Sequence, residues 1–346
     1  MLDFLPISGS IDVYNKKTKD LLQLPPLPPS TGFENLNGAA FYTNRGTLEN
    51  KGLEIAAVYQ IADTDDFNFS IGGNISFNKS KIGDLGIPLS EIYMSNGVIE
   101  NRSFYLGTPV STGTYFKYPS NIFIEGEEPG LFYGYATDGI YQSTDEITVE
   151  NVQAGDIRII DQNGDGVINA SDRTIIGNPN PDFVYGLNLN LNYKNWSLTA
   201  LVNGVEGNDI ANGMQLDLGV AEGTFSNVLS DAYYNAWRPD SESNLYPRVG
   251  YTGNNNALAM NDRIIEDGSY FRLKNITLGY DIPVKEAGMF SRCNIYLSGQ
   301  NLITITDYSG YDPEITSFLW DATRIGVDFY QSPNVKAWTV GLNLEF

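Results

Sequence analysis

The last twelve residues, VKAWTVGLNLEF at 335–346, decide the fold. Trp338, Val340, Leu342, Leu344 and the terminal Phe346 fall on one parity, and Ala337, Thr339, Gly341, Asn343 and Glu345 on the other. Successive side chains of a strand point to opposite faces, so this segment carries one wholly apolar face and one small, polar face. One such strand fits many proteins, and repetition narrows the choice. Bulky apolar residues alternate with small or polar ones again at 51–61, 67–78, 183–193, 196–202, 270–280 and 294–302, with a shorter version around Ile11 and Val13. Strands with lipid on one side and water on the other need that pattern. The expected fold is all-β, a transmembrane antiparallel β-barrel segment in which Leu342 faces lipid near mid-strand.

Composition agrees and removes other classes. Hydrophobic residues make up 42% of the 346, but no run approaches the roughly 18 consecutive apolar residues of a spanning helix. The 22 Tyr, 17 Phe and 35 Gly favour strands. With no His and the single Cys293, the chain has no imidazole for a hydrolase triad and no internal disulfide framework. It is read as not an enzyme; carboxylate pairs such as Glu127 with Glu128 and Asp145 with Glu146 are expected by chance among 42 acidic residues. The net charge of -21 argues against nucleic acid as a partner and suits a surface-exposed protein. Residues 1–8, MLDFLPIS, lack a basic region and an apolar stretch, so Met1 is expected to be a truncation point of an exported protein.

The connections alternate long and short. Short ones are expected near 62–66, 194–195 and 282–290, while a Pro-rich segment with LPPLPP at 24–29 and excursions near 79–181, 204–268 and 303–333 lie at the other end. Tyr193 and Trp196 bracket a short turn as an interfacial aromatic girdle would, and a change of phase in 270–280 predicts a bulge at Lys274 and Asn275. Eight strands could close alone, but their inward residues are mostly Asn, Ser, Thr and Gly, too small to fill so narrow a barrel. The eight are therefore expected to form the carboxyl-terminal arc of a larger barrel with long extracellular loops.

The sharpest chemistry lies in the excursion 79–181. DQNGDGVINASD at 161–172 places Asp161, Asn163 and Asp165 at positions 1, 3 and 5 of a calcium loop, Gly166 at 6, the Val167 carbonyl at 7 and Asp172 at 12. Ile168 is its apolar anchor, and Asn169 is placed to bind through water. Asp172 stands where Glu is usual, which predicts a weak, structural Ca2+ site of about 10⁻⁴ M, against an Asx-rich turn satisfied by its own backbone. Tyr233, Tyr234, Trp237 and Trp320, with Arg238 and Phe318 beside them, are candidates to stack on a solute.

GSYFRLKNITLGYDIP at 268–283 and SGQNLITITDYSGYDPEI at 298–315 resemble the carboxyl-terminal signature of SusC-like TonB-dependent outer-membrane transporters. NKGLEI at 50–55, YGYATDGIYQS at 133–143, the run 155–186 and the final Phe346 resemble the same family in the same order. The resemblance implies an active importer of oligosaccharides, less often peptides, in the bacterial outer membrane, capped by a SusD-like lipoprotein and energised through TonB. The family's plug domain, TonB box and earlier barrel strands have no counterpart in this sequence, so the resemblance implies no transport by this chain alone. The alternative is a secreted, calcium-stabilised β-sandwich binding carbohydrate as an adhesin module.

Overall fold

The computed structural model describes residues 6–23, 43–85, 104–107, 119–219, 227–249, 260–284 and 290–346. The Pro-rich segment 24–29, and residues 285–289 of the last short turn, lie outside them.

Eight long strands form one antiparallel sheet, the wall: β1 (Ile7–Lys19), β2 (Thr47–Asp63), β3 (Phe67–Asp84), β4 (Phe183–Tyr193), β5 (Trp196–Glu206), β6 (Tyr270–Asp281), β7 (Arg292–Thr306) and β8 (Ala337–Glu345). Sheet order follows chain order, each strand pairing with the one before and the one after it. Residues 64–66, 194–195 and 282–291 make the short connections at one end, and 20–46, 85–182, 207–269 and 307–336 make the long ones at the other. At 17 and 18 residues, β2 and β3 run past their expected ends. Above the apolar band a ladder no longer needs alternating polarity to continue, so the sequence pattern fades before the pairing does.

The register holds the two faces apart. Tyr59, Ile71, Leu189, Ala200, Ile276, Gly299 and Trp338 are successive partners on one face, and Gln60, Ser70, Asn190, Thr199, Thr277, Ser298 and Thr339 on the other. The apolar face is uncovered: Val340 is 72% and Leu342 57% exposed. No second sheet packs against it among the described residues, and an uncovered dry face removes the β-sandwich alternative. At the short-turn end Phe67 and Tyr193 rings lie 6.2 Å apart, Trp196 and Tyr280 4.6 Å, and Phe290 and Phe346 5.1 Å, forming the girdle expected from Tyr193 and Trp196. The predicted bulge is present: register shifts between Leu273 and Asn275 against β7, and beside Leu201 and Val202 against β5.

The described parts of the long connections hold shorter strands, among them Asn121–Ile124, Leu131–Tyr135, Arg173–Gly177, Asp209–Asn212, Ile265–Asp267 and Val327–Asp328, and two short helices, Gly213–Leu218 and Ser230–Asn235. They are not separate loops. Phe132 from the first excursion, Ala211, Leu216, Met260 and Ile264 from the second and Val327 from the third share one buried core, with Ile176, Phe318 and Phe329 packed against it. We refer to this unit as the cap.

Leu342 lies four residues from Phe346, about 10 Å above the girdle at roughly 3.4 Å per residue and a tilt near 45°. Leu342→Arg in the folded barrel should therefore destabilise by about 2–4 kcal/mol, and Asn343→Arg on the inner face far less, measured by denaturant unfolding in bilayers. Equal losses at both positions would overturn the assignment of faces.

Candidate functional site

The inner face near the long-connection end carries the densest chemistry. Tyr270, Arg272 and Lys274 point inward by alternation, the extra residue of the bulge brings Asn275 to the same side, and the Lys274 ammonium lies 2.8 Å from Glu314 of the third excursion. The Arg272 guanidinium is 2.7 Å from Asp312 and also donates to Glu314, and its Nε donates to Thr304. Asn203 and the Tyr270 hydroxyl complete the ring around Glu314. Arg272 is only 1% exposed, so its charge is solvated by this cluster rather than by water. Burial tends to raise the Glu314 pKa, but Lys274 and Arg272 overcome it and leave the carboxyl below its ordinary value. The cluster fastens the third excursion to the wall. YDPEI at 311–315 and the bulge were both legible, but nothing local joined them.

Other ties bind the excursions to one another. Asp262 accepts from the Thr137 amide and hydroxyl, Arg248 meets Asp156 at 2.6 Å, and Asn121 donates to the Ile325 carbonyl. Glu128, one of the chance carboxylates, accepts from Asn178 and faces Lys79, and Asp145 lies 3.7 Å from Arg158. A cavity of about 250 Å³ opens between the excursions, lined by Gln215, Leu216, Tyr246, Arg263, Glu266 and Ser309, just under the usual size of a small-molecule site. Sequence reasoning missed it because its walls come from segments far apart in the chain.

The aromatic candidates separate. Tyr233 and Tyr234 are exposed and in edge contact at 5.3 Å, with Arg238 over the Tyr233 ring. Trp320 is 76% exposed; Arg324 lies 4.8 Å from its ring centroid and 4.3 Å from that of Phe318. Trp237 is buried at 6%, its indole N–H donating to Gln142. Among the described residues no ring contact joins the tyrosine pair to Trp320.

In the loop 161–172 each acidic side chain meets backbone donors. Asp161 accepts from Gly164 and Gly166, Asp165 from Val167, and the buried Asp172 from Gln162 and Asn169; Asn169 donates to the Val167 carbonyl. The Gly166 amide lowers the Asp161 pKa. Asn163 accepts from the Asp165 amide and donates to its carboxylate. The donors stand in calcium-loop order, and a carboxylate holding two hydrogen bonds keeps further lone pairs. No three carboxylates converge among the described residues, so ligation requires these side chains to turn onto a common point.

The ion cluster is testable by pH. Because the folded pKa of Glu314 is depressed, the stability it contributes is complete above the unfolded value near 4.5 and is lost as pH falls through the folded value. Hydrogen exchange of residues 307–336, corrected for intrinsic rate, should show protection falling below pH 4.5. Glu314→Gln should shrink that step, leaving the part that belongs to Asp321, whose carboxyl burial tends to raise but Thr323 and Arg324 hold below its ordinary value. Arg272→Met, which leaves buried Asp312 without its cation, should cost about 3–5 kcal/mol of local protection. An unchanged pH step in Glu314→Gln would show that other groups hold the excursion.

No protein-family model matches the chain. Known proteins do. TonB-dependent receptor P3 of Formosa agariphila is 34% identical over 97% of this chain and 32% of its own length, and TonB-dependent receptor SusC of Bacteroides thetaiotaomicron 29% identical over 98% and 30%. The chain thus spans about a third of the length of the curated relatives it matches. Among solved structures, the RagAB peptide transporter superposes with a TM-score of 0.74 at 23% identity, over 99% of this chain and 33% of that one. In sequence and fold together the chain is similar to the SusC-like TonB-dependent receptors of the outer membrane, over about a third of their length.

Proposed function

We propose that the chain supplies the carboxyl-terminal wall and much of the extracellular cap of an active importer that takes up oligosaccharides, working with a SusD-like lipoprotein and drawing energy from TonB through a region outside this sequence. The observation that carries this reading is the shared core of the three excursions, seated on a polar inner wall. Such a cap offers concave, rigidly held surfaces above a wide lumen. The exposed rings of Tyr234 and Trp320 offer apolar faces suited to sugar rings. Peptide is the second reading, favoured by the likeness to the RagAB peptide transporter.

Uptake assays separate the two. Cells lacking the intact receptor should lose import of a fluorescent oligosaccharide pool, and Tyr234→Ala with Trp320→Ala should weaken capture about tenfold while leaving labelled peptides unaffected. Loss confined to peptides makes the solute a peptide, and unchanged uptake of both pools overturns import.

We also propose that Asp161, Asn163, Asp165, the Val167 carbonyl and Asp172 hold a structural Ca2+ ion. Outside the cell, millimolar calcium fills even a weak site, so the ion acts as a permanent staple. Limited proteolysis of the intact receptor in detergent should cut within 155–178 several-fold faster with chelator than with calcium, and Asp161→Ala should behave as the chelated protein. Identical cleavage in both conditions, with no calorimetric binding at millimolar calcium, would leave only an Asx-rich turn.

A further inference from the structure

On the outer face of β1, β2 and β3 the alternation continues where the apolar residues stop. The outward positions beyond Phe77 on β3 are Lys79 and Lys81; beyond Leu53 on β2 they are Lys51 and Glu49; beyond Val13 on β1 they are Asn15, Lys17 and Lys19. The ladder sets Lys51 directly opposite Lys79 and puts Glu49 between Lys17 and Lys81. Like charges opposite one another destabilise a strand pair, yet this concentration of lysine stands in a chain of net charge -21. Internal neutralisation is partial. Lys17 lies 2.9 Å from Glu49, and Lys79 3.1 Å from Asp182 and 3.6 Å from Glu128. Lys19, Lys51 and Lys81 are exposed and have no ion-pair partner among the described residues.

The height of this strip follows from the strand. Phe67 to Phe77 is ten steps, about 34 Å at ~3.4 Å per residue, which a tilt near 45° reduces to about 24 Å, the height of a barrel's apolar band. Phe77 meets Phe183 at 5.5 Å and Phe183 meets Tyr185 at 6.1 Å, a second aromatic belt at that level. The lysines therefore begin immediately outside the hydrocarbon, on the lipid side of the wall and at the extracellular end. Lipid headgroups occupy that position.

We propose that this basic strip is a docking surface for phosphorylated lipid headgroups of the outer leaflet of the outer membrane. The phosphates supply the counter-charge that Lys51 and Lys81 lack, and lysine is suited to them as a mobile point charge with three donors. Each such lysine at an anionic surface strengthens attachment roughly fivefold.

The test is native mass spectrometry of the intact receptor in detergent, titrated with diphosphoryl lipid A or with its dephosphorylated form, folding being checked by heat-modifiable migration. Diphosphoryl lipid A should remain bound and the dephosphorylated form should not. Lys51→Gln with Lys81→Gln should weaken retention roughly twentyfold while leaving the Lys79 ion pairs intact. Glu49→Gln should strengthen it several-fold, a gain that loss of a merely structural ion pair would not give. Lys16→Gln, on the inner face, should change nothing. Inorganic phosphate alone should not be retained. Equal retention of the two lipids, an unaffected double variant, or retention of inorganic phosphate matching that of the lipid would each overturn the proposal.

Discussion

A strand in hydrocarbon has no water to satisfy its peptide groups, so each amide and carbonyl there must be paired by a neighbouring strand. The rest of this structure depends on that ladder. Once the register of β1 to β8 is set, a shift by one residue would put Asn188, Asn190 and Asn192 into lipid and Leu187, Leu189 and Leu191 into the lumen. Alternation is therefore strict over the apolar band and relaxes above it. The side chains of β2 and β3 then answer to other demands, the outer-face lysines and the ion pairs to the cap.

The wall could be read from the sequence because its constraint is local and periodic. A strand such as FVYGLNLNLNY states its two faces within eleven residues, and the break of phase at Lys274 marks a bulge without reference to any partner. The cap follows a different rule. Phe132, Ala211 and Val327 meet in one core although they lie far apart in the chain, on strands of two to five residues too short to show a period. Trp237 and Trp320 were equivalent as letters, and only packing made one a buried strut and the other an exposed ring. The loop 161–172 was legible as an order of donors, but the direction of each carboxylate depends on backbone amides that the order does not fix.

The way the cap is fastened suits a wall that must stay wet. An apolar seam would need a large dry patch on the inner face, where the small polar residues leave space for water. The Arg272, Lys274, Asp312 and Glu314 cluster instead concentrates the attachment at one end of β6 and β7. Buried ion pairs contribute little net stability, but they penalise any arrangement that leaves one charge unpaired. The third excursion is thus held in one position, with Tyr308 donating to buried Asp328 as a second fixed point deeper in the cap.

The same ladder sets a condition at the sides of the sheet. Among the described residues β1 and β8 each have one strand neighbour in the wall, so each leaves a row of peptide groups facing sideways. In water such edges are managed with charge or twist, but in a bilayer neither replaces a missing partner. Eight strands with a small polar inner face cannot meet the condition by closing on themselves, because Gly, Ser, Thr and Asn would leave a narrow barrel unfilled. A wider barrel in which both edges are paired satisfies it while leaving room for a lumen under the cap. The match to about a third of each relative's length agrees with that geometric requirement, which follows from the hydrogen bonds alone.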